Sequence, residues 1–215
     1  MTWLADNWRT VLDLAVAHVW LAGVPLLLGL VASLPLGWAA KRWPRSYPPI
    51  LTSTGLLYTI PSLALFVIMP GLLGTKILDP VNVVVAMTIY TVALLVRTVA
   101  DGLRAVPDHI EQAATAMGYR GIRRLFGVEL PLAVPVIAAG LRVAAVSNVS
   151  IISVASLLGV PQLGDLLVDG YQRVIWGELL TGIAACVLLA LLFDAVIVAL
   201  TRVLTPWRAA QGGRA

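Results

Sequence analysis

The chain has 215 residues, 60% of them hydrophobic and 12% charged, with a net charge of +4. Soluble domains carry about 25% charged residues, so a soluble fold is excluded. The basic surplus reads as membrane topology, and no nucleic-acid partner is expected.

Ser46 to Thr75 contains no charge, and Leu14 to Ala40 contains none beyond His18. A bilayer core takes roughly 20 apolar residues per helix. The fold class is therefore all-α, a polytopic membrane protein with about five transmembrane helices. The predicted spans are 18–40, 50–73, 81–103, 132–158 and 179–202, with a polar segment at 105–131. The whole chain, 1–215, reads as a single transmembrane domain.

Met1 to Asp6 lacks the basic region of a cleavable signal, so the first span is expected to act as an uncleaved one. Trp3, Trp8, Trp20, Trp38, Trp43, Trp176 and Trp207 fall at or near span ends, as an interfacial aromatic belt does. Pro61 and Pro70 interrupt the second span. Pro61 frees a carbonyl that needs another partner or water in a cavity. A broken helix beside a translocation path, with Tyr58, Pro61 and Ser62 on it, and a plain packing kink are both open readings.

Asp108 is expected to cap a helix running to about Met117, with Glu111 at the third position of a capping box. Ala113, Ala114, Ala116 and Met117 give that helix a small-residue surface suited to a groove on another protein. Gly118 suits a helix stop. A second helix from about Arg120 to Val128 carries Arg120, Arg123 and Arg124 near the lipid headgroups, and Pro131 opens the fourth span.

The fourth span carries a polar band of Ser147, Asn148, Ser150, Ser153 and Ser156. Helix packing is the default reading for such serines. As path candidates the spacing offers Ser147, Asn148 and Ser150, with Asn148 foremost because an unpaired amide in lipid is costly. Arg142 and Asp194 are the charges set deepest in predicted spans, both roughly 10 Å inside the same boundary. They are expected to form an intramembrane ion pair that ties spans four and five. Cys186 lies in an apolar run, reads as a small buried hydrophobe, and can form no intrachain disulfide.

Eleven of the fifteen Lys and Arg residues lie at 41–45, 97–124 and 202–214; Arg9, Lys76 and Arg173 lie on the other side, and Arg142 within a span. The positive-inside bias sets the N-terminus outside and the C-terminus in the cytoplasm, as an odd number of spans requires.

The chain has two lysines, Lys41 and Lys76, and neither stands in a G-x-x-x-x-G-K-[ST] loop, so no ATP site of its own is expected. His18 and His109 are far apart, with no Cys or carboxylate set beside them, and no metal or hydrolytic centre is expected. The spans are poor in aromatics, with Tyr58, Phe66, Tyr90 and Phe193 the main ones. An aromatic cage is therefore not expected within the spans, and selective capture of a ligand is expected on an external protein.

The polar segment reads Gln112-Ala113-Ala114, three residues, Gly118, nine residues, then Val128-Glu129-Leu130-Pro131. It resembles the E-A-A, three residues, G, nine residues, I-x-L-P signature of bacterial ABC importer permease subunits, with Gln112 in place of the usual Glu. Tyr58-Thr59-Ile60-Pro61-Ser62-Leu63-Ala64-Leu65 resembles the T-I-P-S-L-A-L segment of the glycine betaine/carnitine/choline group. Met117-Gly118, Pro131 to Pro135, Gly140-Leu141-Arg142 and Gly159…Leu163-Gly164 match the same group. It departs from that group at Arg97-Thr98-Val99 and Pro161-Gln162.

The resemblance implies a multi-pass permease of the bacterial cytoplasmic membrane moving osmoprotectants: glycine betaine, choline, carnitine and proline-like solutes. It implies alternating access driven by an ATP-binding cassette subunit, which binds ATP and Mg while this chain binds no cofactor and catalyses nothing. It implies a second permease subunit, identical or paralogous, and an extracytoplasmic solute-binding protein docking near 161–176. Glu111, Gln112, Ala113, Ala114, Met117 and Gly118 would couple to the ATPase, and a bulky charge at Ala114 would break that coupling. The alternatives are an importer of amino acids or another small solute, an ion-coupled secondary transporter, for which only Asp194 qualifies well, and a membrane-anchored scaffold.

Overall fold

A computed structural model describes residues 2–207. Arg208 and Arg214, two of the basic residues counted in the tail, lie outside the described residues. Nine α-helices and no strand occur among the described residues.

Helix α1 (Thr2–Arg42) has 41 residues. At 1.5 Å per residue it is about 60 Å long, roughly twice the hydrocarbon thickness of a bilayer. The apolar run from residue 18 is only part of it. Residues 2–17 stay helical because Trp3, Val11, Leu14 and Ala15 share one face and pack on the core, while Asp6, Arg9 and Asp13 face outward.

The second predicted span is two helices, α2 (Tyr47–Thr59) and α3 (Ser62–Leu73), inclined at 100°. The residue before a proline is pushed out of the helical region, and Ile60 is extended at φ −67, ψ 130. Pro70 sits inside α3 without ending it. The bent pair runs the length of α4 (Pro80–Arg104). Tyr47, at the start of α2, donates its hydroxyl to Asp101 at one end of α4 (3.1 Å), and Thr75, just past α3, hydrogen-bonds Asn82 at the other. Asp101 and Asn82 are about 28 Å apart along a helix, so the pair makes one broken crossing. With α1, α4, α7 and α9 it brings the crossings to five, the upper count that length and composition permit.

Helix α4 is the central post, with α1, α7 and the bent pair around it. Asp79 caps it by accepting from the Val81 amide (2.9 Å), and Pro80 opens it. Beyond α4 come α5 (Asp108–Ala116) and α6 (Gly121–Arg124). A π-turn, Leu125–Glu129, then joins α6 directly to α7 (Leu130–Ile152). The separate helix expected at 120–128 is thus the entry of the fourth span, and Pro131 lies within the continuous helix. The wider turn just before it accommodates a ring that has no N–H to donate. A 3-10 turn, Ser153–Leu158, follows α7, then α8 (Gly164–Gln172) and α9 (Trp176–Leu204). Helix α8 had no counterpart among the predicted elements.

Helices α1 and α4 touch backbone to side chain. Gly29, Ser33 and Gly37 recur every four residues on one face of α1, the small-residue stripe that lets membrane helices approach closely. A Cβ at Gly29 would lie on top of the Thr91 side chain, and one at Gly37 would meet Val99 Cγ1 at 2.5 Å. No neighbour lies within 4 Å of a Cβ placed at Gly55 or Gly71. Gly37→Val is therefore expected to abolish most of the monodisperse protein recovered in detergent, as read by size-exclusion chromatography. Gly55→Ala should be recovered as wild type, and equal recovery of the two variants would remove the seam from the account.

Candidate functional site

The segment 105–131 forms a small structure at the end of the bundle that carries Lys41 and Arg104, here called the basic end. Pro107 precedes α5 in an extended conformation (φ −62, ψ 137) with no side-chain cap, and Asp108 is the first helical residue. The capping box expected of Asp108 and Glu111 is not formed, because Glu111 turns toward the spans. Gly118 follows the helix at φ +89, a left-handed conformation that favours glycine, while the Tyr119 amide donates back to Ala114 O at 3.0 Å.

Two cations and two carboxylates close a ring beneath α5. Lys41 Nζ donates to Glu111 Oε1 (2.5 Å) and to Glu129 Oε2 (2.8 Å). Arg124 Nε donates to Glu129 Oε1 (2.6 Å), and its Nη2 lies 3.4 Å from Glu111 Oε2. Arg124 Nη1 also donates to Thr115 Oγ1 (3.1 Å). The quartet joins the end of α1, α5, α6 and the entry of α7. Glu129, with a side chain 3% exposed, sits before the apolar run that begins at Leu132. Burial pushes its carboxyl up, but the hydrogen bonds and charges of Lys41 and Arg124 outweigh burial and hold it below the ordinary 4.5. A lowered carboxyl contributes stability above that value and loses it as the pH falls below.

Lys41, Arg124 and Glu129 were not among the sequence candidates. A signal was present: Glu129 is the sole carboxylate between Glu111 and Asp165, at the mouth of an apolar span, where it needs a cation.

Ala114 is 1% exposed and packs inside its own chain. It cannot lie in a partner's groove, and the expectation of a docking role for it is corrected. The outward face of α5 and its end is Gln112, Ala113, Ala116, Met117 (71% exposed) and Gly118. Glu111 is half-buried in the quartet and belongs to the inward face.

Tyr58, Pro61 and Ser62 meet at the bend between α2 and α3. The break is satisfied from several sides: the Ile60 amide donates to Leu57 O, the Thr59 hydroxyl to Leu56 O, and the Tyr90 hydroxyl to Ile60 O. The Tyr58 and Tyr90 rings meet edge to face with centroids 5.7 Å apart. Tyr58 itself is exposed.

Asn148 is buried and ties three helices. Its amide donates to Thr91 Oγ1 on α4 (3.0 Å) and reaches Ala22 O on α1 (3.5 Å). Its pairing removes the reason for which it was the foremost path candidate. Ser150 is exposed on the outer stripe of α7, and Ser147 is half-buried. Ser153 and Ser156 are held by Val149 O and Asp165.

Arg142 Nε lies 2.5 Å from Asp194 Oδ1, and its Nη2 donates to Oδ2 at 3.0 Å, a two-pronged pair between α7 and α9. The side chains are 47% and 28% exposed, beside a cavity of about 500 Å³ lined by Ala138, Ala139, Val198, Thr201 and Arg202. Among the described residues no group of three His, Cys, Asp or Glu side chains is placed to hold a metal.

Five crossings, one of them a buried post and another broken, with a short helix charge-locked to the bundle's end, define a multi-pass membrane protein. Residues 26–209 match the family described as binding-protein-dependent transport system inner membrane component, and the chain belongs to that family. It is 32% identical to the osmoprotectant import permease protein OsmW of Salmonella typhimurium, over 95% of this chain and 96% of that one. It is 27% identical to the glycine betaine/carnitine/choline transport system permease protein OpuCB of Bacillus subtilis, over 96% and 94%. Its fold is that of a chain of the inward-facing MetNI methionine ABC transporter, with a TM-score of 0.80 at 20% identity, covering 93% of this chain and 98% of that chain. The protein is thus a multi-pass inner-membrane permease component of an ABC importer.

Removing one member of a buried charge network leaves its partners unpaired, which costs about 3 kcal/mol or more. Glu129→Gln and Lys41→Met are expected to lose that much unfolding free energy in detergent. Arg97→Ala, which breaks an exposed pair with Asp101, should lose under about 1 kcal/mol. Similar losses in all three would show that the quartet contributes nothing special.

For the outer pair, Arg142→Ala and Asp194→Ala should each lower the melting temperature, and the double variant should lower it by less than the two shifts combined. Additive shifts would mean that the two side chains act independently.

Proposed function

We propose that the chain is the transmembrane permease subunit of an ATP-driven importer of osmoprotectants such as glycine betaine, choline and carnitine. The observation that carries the reading is α5: a short helix held by the quartet, with Gln112, Ala113, Ala116 and Met117 turned outward. Such a surface suits insertion into a cleft of an ATP-binding subunit, which would hold ATP and Mg and supply the hydrolysis. The basic end faces the cytoplasm in this reading, in line with the charge bias along the sequence. A second permease subunit, identical or paralogous, completes the path, and an extracytoplasmic binding protein delivers the solute at the opposite end.

The solute class rests on the names of the relatives, which span osmoprotectant, choline and glycine betaine/carnitine/choline permeases. Within the chain it is supported by Tyr58 at the broken crossing. An exposed aromatic face attracts a quaternary ammonium weakly, as a path should, by about 0.5–1 kcal/mol.

ATP-binding subunit movement pushes α5. The quartet passes the push to α1 and α7 together, because Lys41 and Glu129 bridge both. That linkage lets one short helix rock two spans.

The test is reconstitution with the ATP-binding subunit and binding protein, followed by uptake of glycine betaine, choline, carnitine and proline. ATP-dependent uptake of the ammonium solutes is expected, and proline alone would favour an amino-acid importer. Ala113→Glu should leave the protein monodisperse and sever ATP hydrolysis from uptake. Normal coupling in that variant would remove α5 from the subunit interface, and uptake that persists without ATP would reject the mechanism.

A further inference from the structure

Two cavities at the basic end share Trp38 as a common wall and differ in chemistry. One, of about 340 Å³, is apolar and lined by Val31, Leu34, Pro35, Phe126 and Leu130 with Trp38. The other, of about 230 Å³, is lined by Arg42, Arg120 and Tyr119 with Trp38, and by the Arg124 and Glu129 side chains of the quartet. Glu129 brings no free charge there, since both its oxygens are held by Lys41 and Arg124. Arg42 and Arg120 have no carboxylate within 4 Å among the described residues, so the cavity is cationic.

The two cavities adjoin at Trp38, which lines both, and together they make an amphipathic slot. Both of its walls run from charged to apolar. On α1 the order from the helix end inward is Arg42, Trp38, Pro35, Leu34, Val31, and eleven residues separate its ends, about 16 Å. On the facing wall Arg120 and Tyr119 give way to Phe126 and Leu130. A tryptophan at the junction matches the headgroup level of a bilayer.

We propose that this slot binds one anionic phospholipid, its phosphate between Arg42 and Arg120 and an acyl chain along Val31, Pro35 and Phe126. Charge complementarity selects an anion, and the apolar half selects one that carries a chain. A soluble subunit is a poor occupant for the apolar half, whose lining side chains are all apolar. Ordinary headgroup snorkelling by surface arginines needs no cavity, whereas Arg42 at the end of α1 and Arg120 in the turn before α6 line the same one. Basic pockets between spans are a known way of holding acidic lipid headgroups. The slot also touches the quartet through Arg124 and Glu129, so a lipid there would brace the mounting of α5. The inference rests on the inner-membrane assignment and is independent of the solute.

Native mass spectrometry of the full chain tests it, with dioleoylphosphatidylglycerol and dioleoylphosphatidylcholine offered at equal concentration. Phosphatidylglycerol adducts should exceed phosphatidylcholine adducts by roughly tenfold or more. The R42A/R120A double variant should bring that ratio near one. Val31→Trp keeps both charges and fills the apolar half, and it should also abolish the preference. Excess glycerol 3-phosphate should not displace the lipid. Equal binding of the two lipids by the wild type, or an unchanged preference in Val31→Trp, would overturn the proposal. So would displacement by glycerol 3-phosphate, which would mark a site for free phosphate anions. Should the double variant lose its ATP-binding subunit while retaining phosphatidylglycerol, the arginines belong to that contact and the lipid site is rejected.

Discussion

The close approach of α1 to α4 is the constraint on which the arrangement depends. Three small residues, Gly29, Ser33 and Gly37, bring the two backbones together, and Thr91 and Val99 occupy the space that side chains on α1 would need. In lipid this contact draws on dispersion and shape, because the tails outside are as apolar as the helices. The seam fixes the height and rotation of α1, and therefore where its last turn emerges. Lys41 reaches Glu111 and Glu129 from that turn, and Trp38 and Arg42 line the slot beside it.

The basic end departs from a simple picture of a charged docking helix. The carboxylate of α5 nearest the signature, Glu111, looks toward its own chain and not toward a partner. Substitution of Gln112 for the family's usual Glu therefore leaves the internal mounting of the helix intact. What α5 turns outward is mainly short or flexible: Ala113, Ala116, Met117 and the amide of Gln112. Contact through such a surface would select by fit, and methionine adapts to a groove of imperfect shape.

Much of the bundle was legible from apolar runs, since hydrophobic length is a strong signal in a membrane chain. The five predicted spans lie where α1, the bent pair, α4, α7 and α9 are found, although the ends differ. The errors share a cause. Asn148 and Ala114 were judged by type and spacing, while their roles depend on which side of the helix meets a neighbour. The capping box at Asp108 failed because Glu111 had a better partner seventy positions away in Lys41, a pairing that no local pattern can show. The first sixteen helical residues were missed because charges interrupt the hydropathy, though Trp3, Val11 and Leu14 keep a helical face. Pro61 was visible as a break, but the tyrosine that satisfies it comes from position 90.

The length of α1 has a mechanical meaning. At one end its Lys41 is clamped into the mounting of α5, and at the other its Trp3 lies against Gly177 at the head of α9, 3.1 Å from where a Cβ would stand. Between those points the helix is continuous, although Pro25 and Pro35 each remove a backbone donor within it. One rod about 60 Å long thus registers displacement on both faces of the membrane. A tilt imposed at Lys41 would swing Trp3 the opposite way, as a seesaw does, with the glycine seam as its fulcrum. Opening at one face and closing at the other would then be two ends of a single movement, with no separate signal needed to keep them in step.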